Sequence, residues 1–197
     1  MTTWPERIRQ AYADGVGDRA SVDDGFGPVT VDVPAEEWVA GVTLARDVLG
    51  CTFFDWLSAV DETDDGFRIV CHVAAHRPGN VDHVVLRTLV PREAPLVASV
   101  ATVFAGARWH ERETHEMFGV DFTEDGTVLE LETLLLPDEF EGHPLRKEFV
   151  LASRVAKPWP GAKEPGESDG HAAGPRTRRR ARPPGVPDPD EWGPRHA

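Results

Sequence analysis

The segment of this sequence best suited to chemistry is residues 110–116, where two histidines and three glutamates occur within seven residues. Such a mixture of imidazoles and carboxylates could bind a metal ion or transfer protons. A helical zinc site of the common kind needs two histidines at positions i and i+4. His110 and His115 are five residues apart, which separates them by about 140° around a helix. Because both imidazoles could not then reach one tetrahedral ion, we predict no metal site here.

The sequence also lacks the local patterns of other catalytic sites. No serine or cysteine lies in a nucleophile elbow, and neither Gly-x-Gly-x-x-Gly nor a P-loop occurs. Cys51 and Cys71 do not form a Cys-x-x-Cys pair, so a zinc ribbon or an iron–sulfur cluster has no local set of ligands. We predict that both cysteines are buried in strands. A free-standing hydrolase is the least favoured function.

A helix over residues 107–118 would surround Trp109 with charge. At 100° per residue, an arc of about 200° carries five charged residues, namely Arg108, Glu111, Arg112, Glu113 and Glu116. Trp109 falls in the middle of this arc. A solvated helix face is one interpretation, but Trp and Arg are enriched at the centres of protein interfaces. The pattern therefore favours a protein-binding face over a catalytic one.

The periodicity of the first 156 residues predicts an α+β domain with a mainly antiparallel sheet and flanking helices. Short turns, such as the acidic one at residues 61–66, join antiparallel neighbours. In residues 67–75, alternate residues from Phe67 to Val73 share one apolar face. Strands are predicted over residues 29–33, 51–60, 67–75 and 82–90, helices over residues 4–14, 36–49, 95–108 and 107–118, and an extended segment over residues 141–151.

The composition changes near residue 157, which we take as the boundary between a domain (residues 1–156) and a tail (residues 157–197). The tail has 41 residues, of which 9 are Pro and 6 are Gly. It holds too few large apolar residues to offset the entropy of ordering it, so we predict a disordered tail. Five arginines between residues 176 and 182 are more typical of a solvated or self-attracted tail than of a nucleic-acid site.

The net charge of −13 disfavours nucleic-acid binding and direct attraction to an anionic membrane. No apolar run is long enough to span a bilayer, and the N-terminus has no apolar segment of a secretory signal. We therefore expect a soluble intracellular protein.

Two blocks carry a resemblance to a known family. The first is Glu-Arg-Glu-Thr-His-Glu-Met-Phe-Gly-Val-Asp-Phe at residues 111–122, and the second is Glu-Gly-His-Pro-Leu-Arg-Lys-Glu at residues 141–148. Present in this order, they resemble the 30 kDa-type subunit of the proton-pumping NADH–quinone oxidoreductase (respiratory complex I). The resemblance covers roughly residues 30–155. Glu116 stands where the family usually has Asp, and His115 where it usually has an aromatic residue.

The resemblance implies a peripheral-arm subunit, on the cytoplasmic face of the membrane, without a catalytic centre of its own. It implies docking against the quinone-site subunit and the adjacent cluster-bearing subunits, which together with other subunits hold FMN, iron–sulfur clusters and the sites for NADH and quinone. This chain would hold no metal or cofactor. The corresponding subunit of a membrane-bound hydrogenase is the alternative.

The resemblance and the helix pattern together give a set of expected interface residues. We expect Arg112 and Arg146 to act in docking and Arg146 to contribute little to the fold. The full set is Trp109, Glu111, Arg112, Glu113, Glu116, Phe118, Gly119, Gly142, His143, Pro144, Leu145, Arg146 and Lys147.

Overall fold

A computed structural model describes residues 2–150, and the predicted boundary at residue 157 and the predicted disordered tail lie outside them. The described residues form three α-helices and eight strands. The helices are α1 (Trp4–Gly15), α2 (Trp38–Asp47) and α3 (Ala107–Phe118), and short 3-10 turns occupy Gly17–Arg19, Ala35–Glu37 and Thr63–Asp65. The strands are β1 (Ser21–Asp23), β2 (Val29–Asp32), β3 (Phe53–Asp61), β4 (Phe67–Arg77), β5 (Asn80–Val90), β6 (Leu96–Ala98), β7 (Asp121–Glu124) and β8 (Thr127–Val128).

The main sheet has five strands in the order β1-β2-β5-β4-β3. All neighbours are antiparallel except β2 and β5, which run parallel with Val29 opposite Val84. The parallel pair follows from the long connection through α2, β3 and β4, whereas the hairpins must be antiparallel. The predicted α+β class with a mainly antiparallel sheet is confirmed.

Alternation along β4 decides which side chains enter the core. Phe67, Ile69, Cys71 and Val73 are fully buried, as predicted. Cys51 is also buried, but it lies before β3 and not in the strand predicted for it. These side chains form one apolar cluster with side chains of α1 and α2, including Tyr12 and Trp38. The same alternation in β3 turns Leu57, Ala59 and Asp61 inward. The fold thereby buries a carboxylate where the strand ends.

The predicted helix over residues 95–108 is wrong. Leu96–Ala98 is instead a strand that pairs in parallel with β7, and β8 completes a second sheet of three strands. Val97, Val100 and Phe104 are buried, so the helix-like spacing of these apolar residues was real. A strand and turns rather than a helix bury them, because Pro95 and Ser99 exchange backbone hydrogen bonds with β7 at 2.7 Å each. Strands β1, β7 and β8 were not predicted.

The segment after β8 is irregular but ordered by specific contacts. An extended conformation was predicted for residues 141–151, and over the described residues 141–150 this is wrong. Two successive turns form instead, closed by Arg146 N–H to the His143 carbonyl at 3.2 Å and by Phe149 N–H to the Arg146 carbonyl at 3.0 Å. The turns fold the second block back against α3.

Candidate functional site: the joint between the two blocks

Glu111 of α3 points into the protein. It is fully buried, and its carboxylate accepts hydrogen bonds from Ser99 Oγ and Val100 N–H, each at 2.8 Å. Burial raises the pKa of Glu111, and the two hydrogen bonds oppose this shift. Glu111 was expected on an exposed helix face, which is wrong. The loop after β6 contains buried hydrogen-bond donors, and a buried donor without an acceptor costs free energy. The buried Glu111 carboxylate supplies the acceptor.

Glu116 is also buried rather than exposed. Its carboxylate accepts the backbone N–H groups of three consecutive residues, Leu134, Leu135 (2.9 Å) and Leu136 (3.4 Å). A carboxylate bound by several backbone donors fixes the path of the chain that supplies them. Glu116 therefore holds the irregular segment after β8 against α3.

Arg112 holds the same segment one turn earlier on α3. Its Nε donates to the Glu132 carbonyl at 3.0 Å and its Nη2 to the Thr133 carbonyl at 2.7 Å. The guanidinium carbon lies 5.1 Å from the centre of the Trp109 ring, within cation–π range. Trp109 itself remains 60 % exposed. Arg112 thus links an exposed aromatic side chain to the backbone beneath it.

The C-terminal end of α3 shows why the two blocks occur together. The last four carbonyl groups of a helix have no partner within the helix. Gly119 adopts the left-handed conformation (φ +69°), and its N–H bonds the His115 carbonyl at 2.8 Å. The second block supplies the other three donors, which are His143 Nδ1 to Glu116 O (2.8 Å), Leu145 N to Met117 O (3.1 Å) and Arg146 Nε to Phe118 O (2.6 Å). The second block is the C-terminal cap of the helix of the first block.

The charges at this helix end suit the helix dipole. The Arg146 cation lies beside carbonyl groups that carry partial negative charge, which is favourable. His143 must donate from Nδ1 because its partner is a carbonyl oxygen. Burial lowers the pKa of His143, which favours the neutral imidazole.

Three residues outside the predicted set form part of the surface on which the second block packs. Asp61 accepts the Lys147 N–H at 2.8 Å and pairs with Arg92 at 2.8 Å. The Phe67 ring lies between two guanidinium groups, those of Arg92 and Arg146, each 5.0 Å from its centre. The signal for Asp61 was present in the sequence, because the period of β3 places residues 57, 59 and 61 on one face.

The structure brings the two predicted blocks into direct contact, but it places their members in different surroundings. Glu111, Arg112, Glu116, His143 and Arg146 make hydrogen bonds within this chain. The Phe118 ring packs edge-on against Phe67 with centroids 6.4 Å apart. The other predicted residues are Glu113 and Pro144, which are half-buried, and Gly142, Leu145 and Lys147, which are exposed.

His110 and His115 do not share a ligand. His115 Nδ1 lies 3.2 Å from the Val120 carbonyl and 3.1 Å from an Asp121 carboxylate oxygen, whereas the His110 ring packs against Phe54. Within residues 2–150, no three His, Cys, Asp or Glu side chains are arranged to hold one ion. The charged groups of this site make hydrogen bonds to backbone atoms of this chain. The site is therefore suited to holding one surface of the chain in a fixed shape.

Comparisons with known proteins identify the family. The family model of the respiratory-chain NADH dehydrogenase 30 kDa subunit matches residues 31–155. A relative from Rhizobium meliloti (strain 1021), named as a subunit of NADH-quinone oxidoreductase, is 34 % identical over 140 residues, covering 69 % of this chain and 67 % of that protein. A relative of the same name from Roseiflexus sp. (strain RS-1) is 34 % identical over 152 residues, covering 75 % and 83 %.

Two solved structures share the fold. The trypsin-resistant fragment of Nqo5 aligns with a TM-score of 0.50 at 20 % identity, covering 61 % of this chain and 96 % of the fragment. A chain of the membrane-bound sulfane sulfur reductase, an archaeal respiratory membrane complex, aligns with a TM-score of 0.55 at 18 % identity, covering 79 % and 96 %. Together with the family match and the curated relatives, these observations show that the chain belongs to the 30 kDa subunit family of the respiratory-chain NADH dehydrogenase.

Proposed function

We propose that this chain is a non-catalytic peripheral-arm subunit of a proton-translocating NADH–quinone oxidoreductase. It docks against the quinone-site subunit and the adjacent cluster-bearing subunits and supports electron transfer from NADH to quinone. FMN and the iron–sulfur clusters belong to other subunits, which also bind NADH and quinone, and this chain holds no metal or cofactor. The curated relatives, all named as subunits of this oxidoreductase, support the proposal.

The observation that carries the proposal is the joint between α3 and the second block. Its ionised groups are bound to backbone atoms, with Arg146 on the Phe118 carbonyl and Glu116 on the N–H groups of residues 134–136. Groups held in this way stabilise one shape of the chain instead of meeting a substrate. A rigid surface with an exposed Trp109 is what docking requires, because preorganised interfaces lose less entropy on binding.

Attachment to the membrane follows from the complex. Among the described residues, no helix is long and apolar enough to cross a membrane. We place the chain at the cytoplasmic side of the membrane, held there by its partner subunits.

The corresponding subunit of a membrane-bound hydrogenase-type complex is the second candidate. The fold also occurs in an archaeal respiratory complex that reduces sulfane sulfur, so the fold does not separate the two. The identities of 32–34 % to relatives named as NADH-quinone oxidoreductase subunits favour that oxidoreductase.

The test is purification of the tagged full-length chain from its native membrane. Mass spectrometry should identify the flavin-bearing, cluster-bearing and quinone-site subunits, and the preparation should reduce quinone with NADH. Recovery of a nickel-site large subunit would instead assign a hydrogenase. Recovery of the chain alone, with hydrolase activity, would overturn both assignments. Metal or flavin retained by the separated chain would contradict the absence of a cofactor.

A further inference from the structure

Helix α3 and the segment held against it each expose one large apolar side chain that the chain's own core does not use. Trp109 lies on the helix and Leu135 on the segment held against it, and each is 60 % exposed. Arg112 lies beneath Trp109, and Glu116 bonds the N–H groups on both sides of Leu135. We call this surface, together with the acidic residues of the segment that carries Leu135, the Trp109–Leu135 face.

The two apolar side chains stand on a fixed base. The Arg112 guanidinium is held by the Glu132 and Thr133 carbonyls, so it supports the Trp109 ring in one position. The backbone N–H of Leu135 is bonded to Glu116 at 2.9 Å, which turns the polar backbone inward and leaves the side chain outside. Buried Trp side chains are among the residues that supply most of the binding energy of protein interfaces, and an aliphatic side chain can complete such an anchor cluster.

The segment that carries Leu135 is strongly acidic. Residues 123–142 contain seven Asp or Glu and no Lys or Arg. Within the described part of the chain, only Glu124 among the seven forms an ion pair, with Arg108 at 3.2 Å. The six others are all exposed, namely Asp125, Glu130, Glu132, Asp138, Glu139 and Glu141. Because these exposed carboxylates have no cationic partner within the described residues, they would attract a cationic surface laid over them.

A second exposed apolar surface differs in this respect. The outer side of the main sheet exposes Trp56, Val60 and Leu89. Its charges are paired within the chain, since Asp32 bonds both Arg68 and Arg87. That surface gives no indication of the charge of an occupant, whereas the Trp109–Leu135 face does.

We propose that the Trp109–Leu135 face docks a partner protein of the complex whose surface offers an apolar pocket bordered by Lys and Arg side chains. The inference rests on the proposed function and specifies the chemistry of the partner. It also changes the role expected of the two blocks in docking. Most of their charged residues hold the surface in shape from within the chain, and the exposed residues beside them contact the partner.

The test uses tagged full-length variants expressed in place of the wild-type chain. The oxidoreductase subunits recovered per chain are quantified by mass spectrometry after purification from native membranes over a range of NaCl concentrations. Trp109→Ala and Leu135→Ala should each lower recovery by about tenfold or more, the loss typical of central interface anchors. Phe26→Ala is the matched control, because Phe26 is 96 % exposed elsewhere and its removal should change nothing.

The charge of the partner is tested by reversal. The double variant Glu130→Lys, Glu139→Lys should lower the recovery of oxidoreductase subunits about tenfold at low salt. The difference from wild type should shrink as NaCl screens the charges. Asp64→Lys with Asp65→Lys makes the same change of charge at the turn between β3 and β4 and should have no effect. Equal losses from both double variants would contradict a localised basic partner.

The remaining outcomes separate the two proposals. If the wild-type chain recovers no oxidoreductase subunits, the proposed function fails. If it recovers them and Trp109→Ala and Leu135→Ala recover as much, only the inference is overturned. If the isolated chain forms a dimer and Trp109→Ala dissociates that dimer, the occupant is a second copy of this chain and the inference is overturned. The inference is also overturned if replacing the tail arginines 176, 178, 179, 180 and 182 by Gln abolishes the effect of the Glu130→Lys, Glu139→Lys double variant. The cationic occupant would then be the tail of this chain.

Discussion

The Arg146 guanidinium donates from Nε to the Phe118 carbonyl at 2.6 Å and lies 5.0 Å from the centre of the Phe67 ring. One side chain of the second block thus caps the helix of the first block and packs on the main sheet. The expectation that Arg146 contributes little to the fold does not agree with this geometry. We therefore expect any dependence of docking on Arg146 to act through the surface that this side chain holds in place.

Arg146→Ala should therefore destabilise the isolated chain by about 2 kcal/mol, since it removes a hydrogen bond from a charged donor and a cation–π contact. For a chain of this size the thermal midpoint should fall by about 4–8 °C, which calorimetry or circular dichroism would measure. Lys147→Ala is the control, because the exposed Lys147 side chain can be removed while its N–H still bonds Asp61. An unchanged midpoint for Arg146→Ala would contradict the capping role.

Gly119→Ala should be among the most destabilising small substitutions in the joint. Gly119 has φ +69°, and a Cβ there would overlap the side chains of His143 and Arg146. Gly126 also has a positive φ, of +77°, but nothing lies within 4 Å of its Cβ position. We expect Gly126→Ala to cost about 1 kcal/mol, which reflects the conformation alone, and Gly119→Ala about 2–4 kcal/mol. Urea denaturation would give both losses in the free energy of unfolding. Equal losses would show that the side chains of His143 and Arg146 move away from the new Cβ without cost.

Glu116→Ala should loosen the segment after β8 without unfolding the domain. The amide groups of residues 134–136 lose their acceptor, so their hydrogen exchange should accelerate by about tenfold or more. Exchange in β4 and β5 should change much less. Glu113→Ala is a control on the same helix, and protection of residues 134–136 should persist in it. Unchanged exchange at these amides in Glu116→Ala would mean that other contacts hold the segment.

Asp61 should make the stability of the chain depend on pH in the acid range. Burial acts to raise the pKa of Asp61, but the Arg92 hydrogen bond and the N–H groups of Lys147 and Thr63 hold it at about 2. The unfolded value is about 3.9, so ionised Asp61 stabilises the fold above that pH. This contribution, about 2–3 kcal/mol at most, is lost as the pH falls towards 2.

Denaturation free energies between pH 6 and pH 2.5 would test the contribution of Asp61. The difference between the wild-type chain and Asp61→Asn should be largest at pH 6 and should shrink with acid. Asp65→Asn, at an exposed position of the same turn, should leave the profile unchanged. A difference between wild type and Asp61→Asn that stays constant with pH would exclude ionised Asp61 as its source.

The sequence by itself determined the elements whose signals are local. The alternation from Phe67 to Val73 specified both the strand and its buried face, because side chains in a strand point alternately to opposite sides. The short turns between β3, β4 and β5 specified antiparallel neighbours. The order and content of the two blocks indicated the family, which the relatives then showed.

Only the tertiary structure decided how those elements meet. Val97, Val100 and Phe104 have helical spacing, yet pairing of Leu96–Ala98 with β7 makes a strand and turns of that segment. Glu111 has the sequence pattern of a surface charge, yet it is buried because a distant backbone N–H group needs an acceptor there. A carboxylate's own sequence neighbours do not specify such a partner.

The end of α3 shows the same dependence on distant parts of the chain. Its last carbonyl groups receive their hydrogen bonds from donors 27 or 28 residues further along, at His143, Leu145 and Arg146. The sequence shows that these donors and acceptors exist. Which of them meet is set by the packing of the whole domain, because a hydrogen bond at that separation forms only where the intervening chain brings the two groups together.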